Sequence, residues 1–286
     1  MARYGINAGK FLDLKAKALD ISSKAVTHCR EDEPVRDVIP LLQRHRRLPV
    51  LSETGGYFRS VVSGQDVLDF LGGGEKYLIY RTRFDGLVLP VGKIATRKAL
   101  HLTPEHTAGD ALSLLQRHGK GFHPILEYRK VSGILTEWDM VKHIDGKTGM
   151  RVRDAMTHRP AFIRDTETVF DAVKAMVRGG YRRLPVVTGH GRDPPLSPSR
   201  RLAGIVTPKD ILKHLSATQQ FHRLAKDRVG ITRAISGDAA SVAPGQDVAE
   251  AVRLMASHGV NCLPVVNTAR ELVGIITEKD IVDVMR

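Results

Sequence analysis

The sequence predicts an α/β (α+β) fold in which four βαββα units repeat along 286 residues. Three observations lead there. The stretch Gly204-Ile205-Val206-Thr207-Pro208-Lys209-Asp210-Ile211 recurs around Thr277 and Asp280, around Thr136 and Asp139, and more loosely around Ser63 and Asp66, with the four aspartates 73, 71 and 70 residues apart. Self-similarity at a nearly fixed period marks an array of one supersecondary unit. A short apolar segment carrying a proline precedes each copy: Leu48-Pro49-Val50, Pro124-Ile125-Leu126, Leu184-Pro185-Val186 and Leu263-Pro264-Val265. Upstream of that, apolar residues recur at helical spacing, most cleanly Val169, Ala172, Val173, Met176 and Val177 behind the cap-type residue Thr168.

Residues 1–24 hold Phe11-Leu12-Asp13-Leu14 and a lysine-rich segment, a lead-in expected to pack on the first repeat. In the first repeat, 25–75, Val35, Val38, Ile39 and Leu42 keep helical spacing. Pro34 suits a first helical position, whereas Pro40 is expected to kink or break that helix. The repeat stops at Gly72-Gly73-Gly74, read as a helix stop and linker because the Lys-Ser/Thr of a phosphate loop is missing. The second repeat, 88–146, has Thr107 capping a helix with Ala108, Ala111, Leu112 and Leu115. Residues 145–151 are polar with two glycines and are the expected domain boundary. The third repeat, 150–216, carries between its strands an insertion, 189–201, rich in Gly, Pro, Ser and Arg and expected in a surface loop. The fourth, 229–286, places Asp247 before Val248, Ala251, Val252 and Met255.

With 42% apolar residues the chain can bury one large core or two to four small ones. The net charge of +13 divides into +5 for residues 1–145 (22 basic, 17 acidic) and +8 for 146–286 (22 basic, 14 acidic), with no polybasic tail. A spread excess of this kind serves anionic small ligands as well as nucleic acid. Cys29 and Cys262 have no spacing that suggests a disulfide or a metal set, so a reducing cytosol is expected. His143, His158, His214 and His222 are scattered without metal-ligand spacing. No apolar run approaches the ~20 residues that span a bilayer, and Met1 to Phe11 lacks the pattern of a signal peptide. The expectation is a cytoplasmic protein that is neither exported nor bound to a membrane. No Ser-His-acid or nucleophile-elbow pattern occurs, so no enzyme activity and no catalytic residue is expected.

In each repeated stretch a hydroxyl residue stands three places before the aspartate: Ser63 and Asp66, Thr136 and Asp139, Thr207 and Asp210, Thr277 and Asp280. Such a pair can form a capping box that satisfies the free N–H groups of a helix start. The same helix start attracts phosphate, and a carboxylate one turn in can accept both hydroxyls of a ribose diol. Capping and ligand binding are compatible.

Taken together, the Leu-Pro-Val strand and the Gly-apolar-apolar-Thr-x-x-Asp stretch resemble the CBS domain, and four in tandem are similar to two Bateman modules paired about pseudo-twofold axes. The resemblance covers nearly all of residues 24–286. It implies clefts for adenosine-containing ligands, with ribose held by Asp66, Asp139, Asp210 and Asp280 and phosphate by the hydroxyls of Ser63, Thr136, Thr207 and Thr277. Basic residues near the Leu-Pro-Val strand would neutralise phosphate: Arg46, Arg47, Arg182 and Arg183, with His123 taken to stand where the first repeat has an arginine. The first repeat departs by Ser60 and Ser63, the second lacks Leu before Pro124, and the fourth has Asn261 and Cys262 in place of the arginines. That asymmetry implies one or two filled clefts, the best of them using the 182–210 region.

The function expected is a regulatory energy sensor of AMP, ADP or ATP that signals to an unidentified partner in trans, with the pairing of two chains left open. The alternatives are an S-adenosylmethionine or methylthioadenosine sensor of the same fold, and a basic nucleic-acid-binding scaffold. No cofactor or metal is required by any of these readings.

Overall fold

The computed structural model describes residues 5–76, 87–97, 99–119, 121–188, 200–218, 221, 228–235 and 239–286. A short helix α1 (Ala18–Ile21) precedes the first repeat, which consists of β1 (Cys29–Arg30), α2 (Val35–Leu42), β2 (Arg47–Leu51), β3 (Phe58–Ser63) and α3 (Gly64–Leu68). The second has α4 (Ala108–His118), β4 (Phe122–Glu127), β5 (Lys130–Thr136) and α5 (Glu137–Val141). The third has α6 (Val152–Ala155), β6 (Thr157–His158), β7 (Ile163–Arg164), α7 (Val169–Gly179), β8 (Leu184–Thr188), β9 (Arg201–Val206) and α8 (Pro208–Thr218). The fourth has α9 (Val248–His258), β10 (Cys262–Val266), β11 (Leu272–Thr277) and α10 (Glu278–Val284).

Every repeat folds around the same antiparallel hairpin. Its register is equivalent in all four: Leu48 opposite Val62, His123 opposite Leu135, Leu184 opposite Val206 and Leu263 opposite Ile276. A register shift falls at the same place each time, just after Val50, Ile125, Val186 and Val265. The preceding helix lays its apolar stripe on the hairpin, with Val169, Ala172, Val173 and Met176 buried in α7. Gly119, Gly180 and Gly259 end α4, α7 and α9 in the left-handed conformation that a residue without Cβ adopts freely.

The segments leading into repeats one, two and three pair with the sheets of their neighbours, and the one leading into repeat four pairs with the helix start of repeat three. Ser23 pairs with Ile134 and Thr96 with Val61, joining repeats one and two. Thr157 pairs with Ile275, and Gly230 with Thr168, joining three and four. Sheet edges add Phe58 N–H to Arg129 O at 2.8 Å and Leu272 N–H to Arg200 O at 2.9 Å. The apolar residues are then divided the other way. One core joins repeats one and three with Leu89, Val91, Ile94 and Ile231 from the lead-ins, and a second joins repeats two and four with Ile6, Ala8, Leu12 and Val152.

The lead-in of residues 5–21 therefore does not pack on the first repeat. Ala18 N–H donates to His106 O at 2.8 Å and Ile6 N–H to Val284 O at 2.8 Å, so the segment lies in the core of repeats two and four. Four equivalent repeats share one rule of exchange, and the first lead-in obeys it. Pro40 does not break α2, which runs on to Leu42; the proline sits in the last turn, where few later bonds depend on its neighbourhood. Within the insertion, 189–199 lie outside the described residues. Among the described residues no helix is long and apolar enough to cross a membrane.

Candidate functional site

The carboxylate of each motif aspartate is divided between two tasks. One oxygen closes the helix start. Asp66 Oδ2 accepts from Ser63 N–H (2.8 Å) and Oγ (2.6 Å), and Asp139 Oδ2 from Thr136 N–H and Oγ1 (both 2.8 Å). Asp210 Oδ2 accepts from Thr207 N–H (2.9 Å) and Oγ1 (2.5 Å), and Asp280 Oδ2 from Thr277 N–H (2.8 Å) and Oγ1 (2.6 Å). The capping box therefore forms at all four positions.

The second oxygen faces outward from the cap, and here the repeats differ. Asp66 Oδ1 is ion-paired with Lys76 Nζ and accepts from Thr96 Oγ1 at 3.3 Å. Asp139 Oδ1 is paired with Lys142 Nζ at 2.8 Å. Asp280 Oδ1 accepts from Thr157 Oγ1 at 2.8 Å. Thr96 and Thr157 come from the exchanged lead-ins, so the acids of the first and fourth repeats are each met by the lead-in of a neighbouring repeat. The sequence signal for them is a constant interval of 14 residues before the acid of the first helix: Ser23 and Asp37, Thr96 and Asp110, Thr157 and Asp171, Ser236 and Glu250.

A cavity of about 420 Å³ opens at Asp66, within the ~300–1,000 Å³ range of small-ligand sites. Three repeats line it: Arg47, Ser63, Gln65 and Asp66 from the first, Thr96, Leu100, His118 and Phe122 from the second, Val177 and Arg182 from the third. Of the residues expected from sequence, it brings together Ser63, Asp66, Arg47 and Arg182. Asp139, Asp210 and Asp280, with Thr136, Thr207 and Thr277, remain at their own helix starts and do not line it. The 182–210 region thus contributes Arg182 to the cavity but not Asp210.

The arginines have separate fates. Arg46 reaches across to the fourth repeat, where Nη1 donates to Glu278 Oε2 at 3.0 Å and Nη2 to Oε1 at 3.4 Å. Arg183 Nε donates to Asn261 Oδ1 at 3.2 Å. Arg47 stacks over the Phe122 ring, 5.9 Å from its centre. Burial and the nearby Arg182 and Arg183 charges bring its pKa down to about 9, while Glu137 opposes the shift. Burial likewise lowers Arg182, again against Glu137. Among the described residues neither the Arg47 nor the Arg182 side chain has a hydrogen-bonding partner.

Two buried acids from the even repeats balance this cluster in part. Glu137 and Glu278 follow the motif threonines and are 5% and 1% exposed. Burial raises the Glu278 pKa against the pull of Arg46. Gly121 stands where the odd repeats have Arg46 and Arg182; a Cβ there would lie 2.2 Å from Glu137 Oε2. The uneven supply of arginine is therefore matched by an uneven supply of glutamate.

His123 needs correction as a basic candidate. Its register partner shows that it occupies the position of Leu48, Leu184 and Leu263, one place beyond the arginines. The ring is fully buried, with Nδ1 3.3 Å from Leu100 O and Nε2 unpartnered. Desolvation brings its pKa down to about 4, so it is neutral at pH 7 and cannot neutralise a phosphate.

The family model of the CBS domain matches residues 18–73, 91–146, 152–217 and 231–286. MJ1225, an uncharacterized protein of Methanocaldococcus jannaschii, is 26% identical over 252 residues, spanning 83% of this chain and 86% of that protein. An uncharacterized 33.4 kDa protein from a ribosomal RNA operon of Thermofilum pendens is 28% identical over 262 residues, 86% of this chain and 83% of the other. The crystal structure of MJ1225, put forward as an archaeal homolog of g-AMPK, has a TM-score of 0.82 at 24% identity and covers 93% of this chain and 99% of its own. A conserved protein of Pyrococcus horikoshii has a TM-score of 0.59 at 17% identity over 94% and 99%. These two structures share the fold.

Proposed function

The chain belongs to the CBS-domain family, and on that premise we propose that it is a regulatory protein which binds an adenine nucleotide, AMP, ADP or ATP, in the cavity at Asp66. The carrying observation is the pair Arg47 and Arg182. Two largely desolvated guanidinium groups that Glu137 balances only from a distance, with no anion hydrogen-bonded to them, are costly, and they face the same cavity as a capped carboxylate with one oxygen directed outward. A phosphate neutralises them through planar bidentate hydrogen bonds, Ser63 lies at the helix start beside it, and Asp66 Oδ1 accepts from the ribose diol. Phe122 and Leu100 supply apolar surface for the base.

Because repeats one, two and three all line the cavity, occupancy changes the free energy of their mutual arrangement. A ligand shifts such an equilibrium only through differential affinity for the two arrangements. A partner in trans would read that arrangement.

Calorimetric titration of AMP, ADP, ATP and S-adenosylmethionine tests this reading. Asp66→Ala is expected to weaken AMP binding at least about tenfold, since a hydrogen bond to a charged group contributes ~1.5–3 kcal/mol. Arg182→Met is expected to weaken AMP while leaving S-adenosylmethionine, which has no phosphate, unaffected. Unchanged AMP affinity in Asp66→Ala, with circular dichroism showing an intact fold, would refute the assignment.

A further inference from the structure

The run Gly72-Gly73-Gly74 turns the chain back against Asp69 and Val177, two residues that line the cavity. After α3 the backbone makes a π-type turn over Asp69–Gly73, in which Gly72 takes φ 138° and ψ 0°, a conformation closed to residues with a side chain. Gly74 passes so close to the turn that a Cβ would lie 2.6 Å from Asp69 Oδ1 and 2.7 Å from Val177 Cγ1. Lys76 N–H then donates to Asp69 Oδ1 at 3.0 Å. This fixes the lysine backbone beside the cavity, and its ammonium is paired with Asp66 Oδ1. The two side chains are only 24% and 12% exposed.

We propose that Lys76 makes this cavity selective for phosphorylated over unphosphorylated adenosine compounds. The proposal rests on the nucleotide reading above. Asp66 Oδ2 is committed to the helix cap, so a ribose hydroxyl must compete for Oδ1, where the ammonium sits. Adenosine alone would displace the lysine and leave a half-buried cation without its partner, beside two guanidinium groups that have no hydrogen-bonded anion. A nucleotide brings its own anion, and the flexible four-carbon stem lets the ammonium follow it. The lysine thus ties the binding of the sugar to the presence of phosphate. In the fourth repeat the equivalent oxygen meets, among the described residues, the neutral hydroxyl of Thr157 in place of an ammonium.

Adenosine and AMP are titrated into wild type, Lys76→Met and Lys76→Arg. The ratio of the adenosine Kd to the AMP Kd is expected to fall at least tenfold in Lys76→Met and to stay at the wild-type value in Lys76→Arg, which keeps the charge. An unchanged ratio in Lys76→Met overturns the proposal while the nucleotide reading stands. Loss of both ligands from Lys76→Met, with wild type binding normally, overturns it as well, because the lysine is then structural. Failure of wild type to bind AMP removes the nucleotide reading and this proposal with it.

Discussion

Acidification from pH 7 to pH 4 is expected to remove about 3 kcal/mol of folding stability through one side chain, His123. The imidazole lies in β4, fully buried, with one long hydrogen bond from Nδ1 to Leu100 O and none at Nε2. Burial, together with the Arg47 and His118 charges, holds its pKa near 4 in the folded protein against 6.5 for the free side chain. The unfolded chain therefore takes up a proton below pH 6.5 that the folded protein refuses until about pH 4. Stability from this group is complete above the unfolded value and declines as the pH falls toward the folded one. Multiplying the shift by ~1.4 kcal/mol per pKa unit gives a loss of about 3 kcal/mol by pH 4. His123→Leu restores the residue type that the other three repeats carry at this position. Urea unfolding at pH 7 and pH 4 of wild type and His123→Leu isolates the effect from other titrating groups, including the partly buried His143. The variant should lose about 3 kcal/mol less than wild type on acidification. Equal losses in the two proteins would show that His123 is protonated in the fold without cost and would refute this reasoning.

Two further predictions concern bonds between repeats. Arg46→Ala leaves the Glu278 carboxylate, 2% exposed as a side chain, without its cation. The exposure of Arg46 moderates the penalty, so a loss of about 2 kcal/mol is expected, smaller than the ~3–5 kcal/mol of a fully buried pair; adding Glu278→Leu should recover most of it in a double-mutant cycle followed by urea unfolding. Asp247 caps α9 through Ala249 N–H at 2.9 Å and also ties down the 145–151 segment through Thr148 N–H (3.1 Å), Thr148 Oγ1 (2.8 Å) and Gly149 N–H (2.9 Å). Burial opposes ionisation there, but these bonds outweigh it and lower the Asp247 pKa. Asp247→Ala is expected to cost about 2–4 kcal/mol, combining the loss of a cap with that of charge-assisted bonds, and thermal unfolding followed by circular dichroism checks it.

Local chemistry made much of this protein legible as a linear string. Helical spacing of Val169, Ala172, Val173 and Met176, proline at the head of each second strand, and a hydroxyl three places before an aspartate act over a few residues, so they survive without knowledge of the fold. The same locality explains the capping boxes at Asp66, Asp139, Asp210 and Asp280. It also explains why sequence alone sets His123 one position off: the arginine pairs and the proline beside it are both short signals, and only the strand register says which one to align on.

The tertiary structure alone decided which residues meet. The lead-ins cross to neighbouring repeats because a two- or three-stranded hairpin sheet leaves an edge that the adjoining segment satisfies. Helix packing then joins odd repeats to odd and even to even, which brings Arg182 from 116 residues away into the cavity at Asp66; Arg46 crosses between the two groups to meet Glu278. Lys76 beside Asp66 depends on backbone angles at Gly72 and Gly74 that composition does not specify. Sequence sets the unit because its determinants lie within one turn or one strand; the cavity belongs to the assembly of units, since the charges that shape it come from three repeats and are desolvated only once those repeats are packed together.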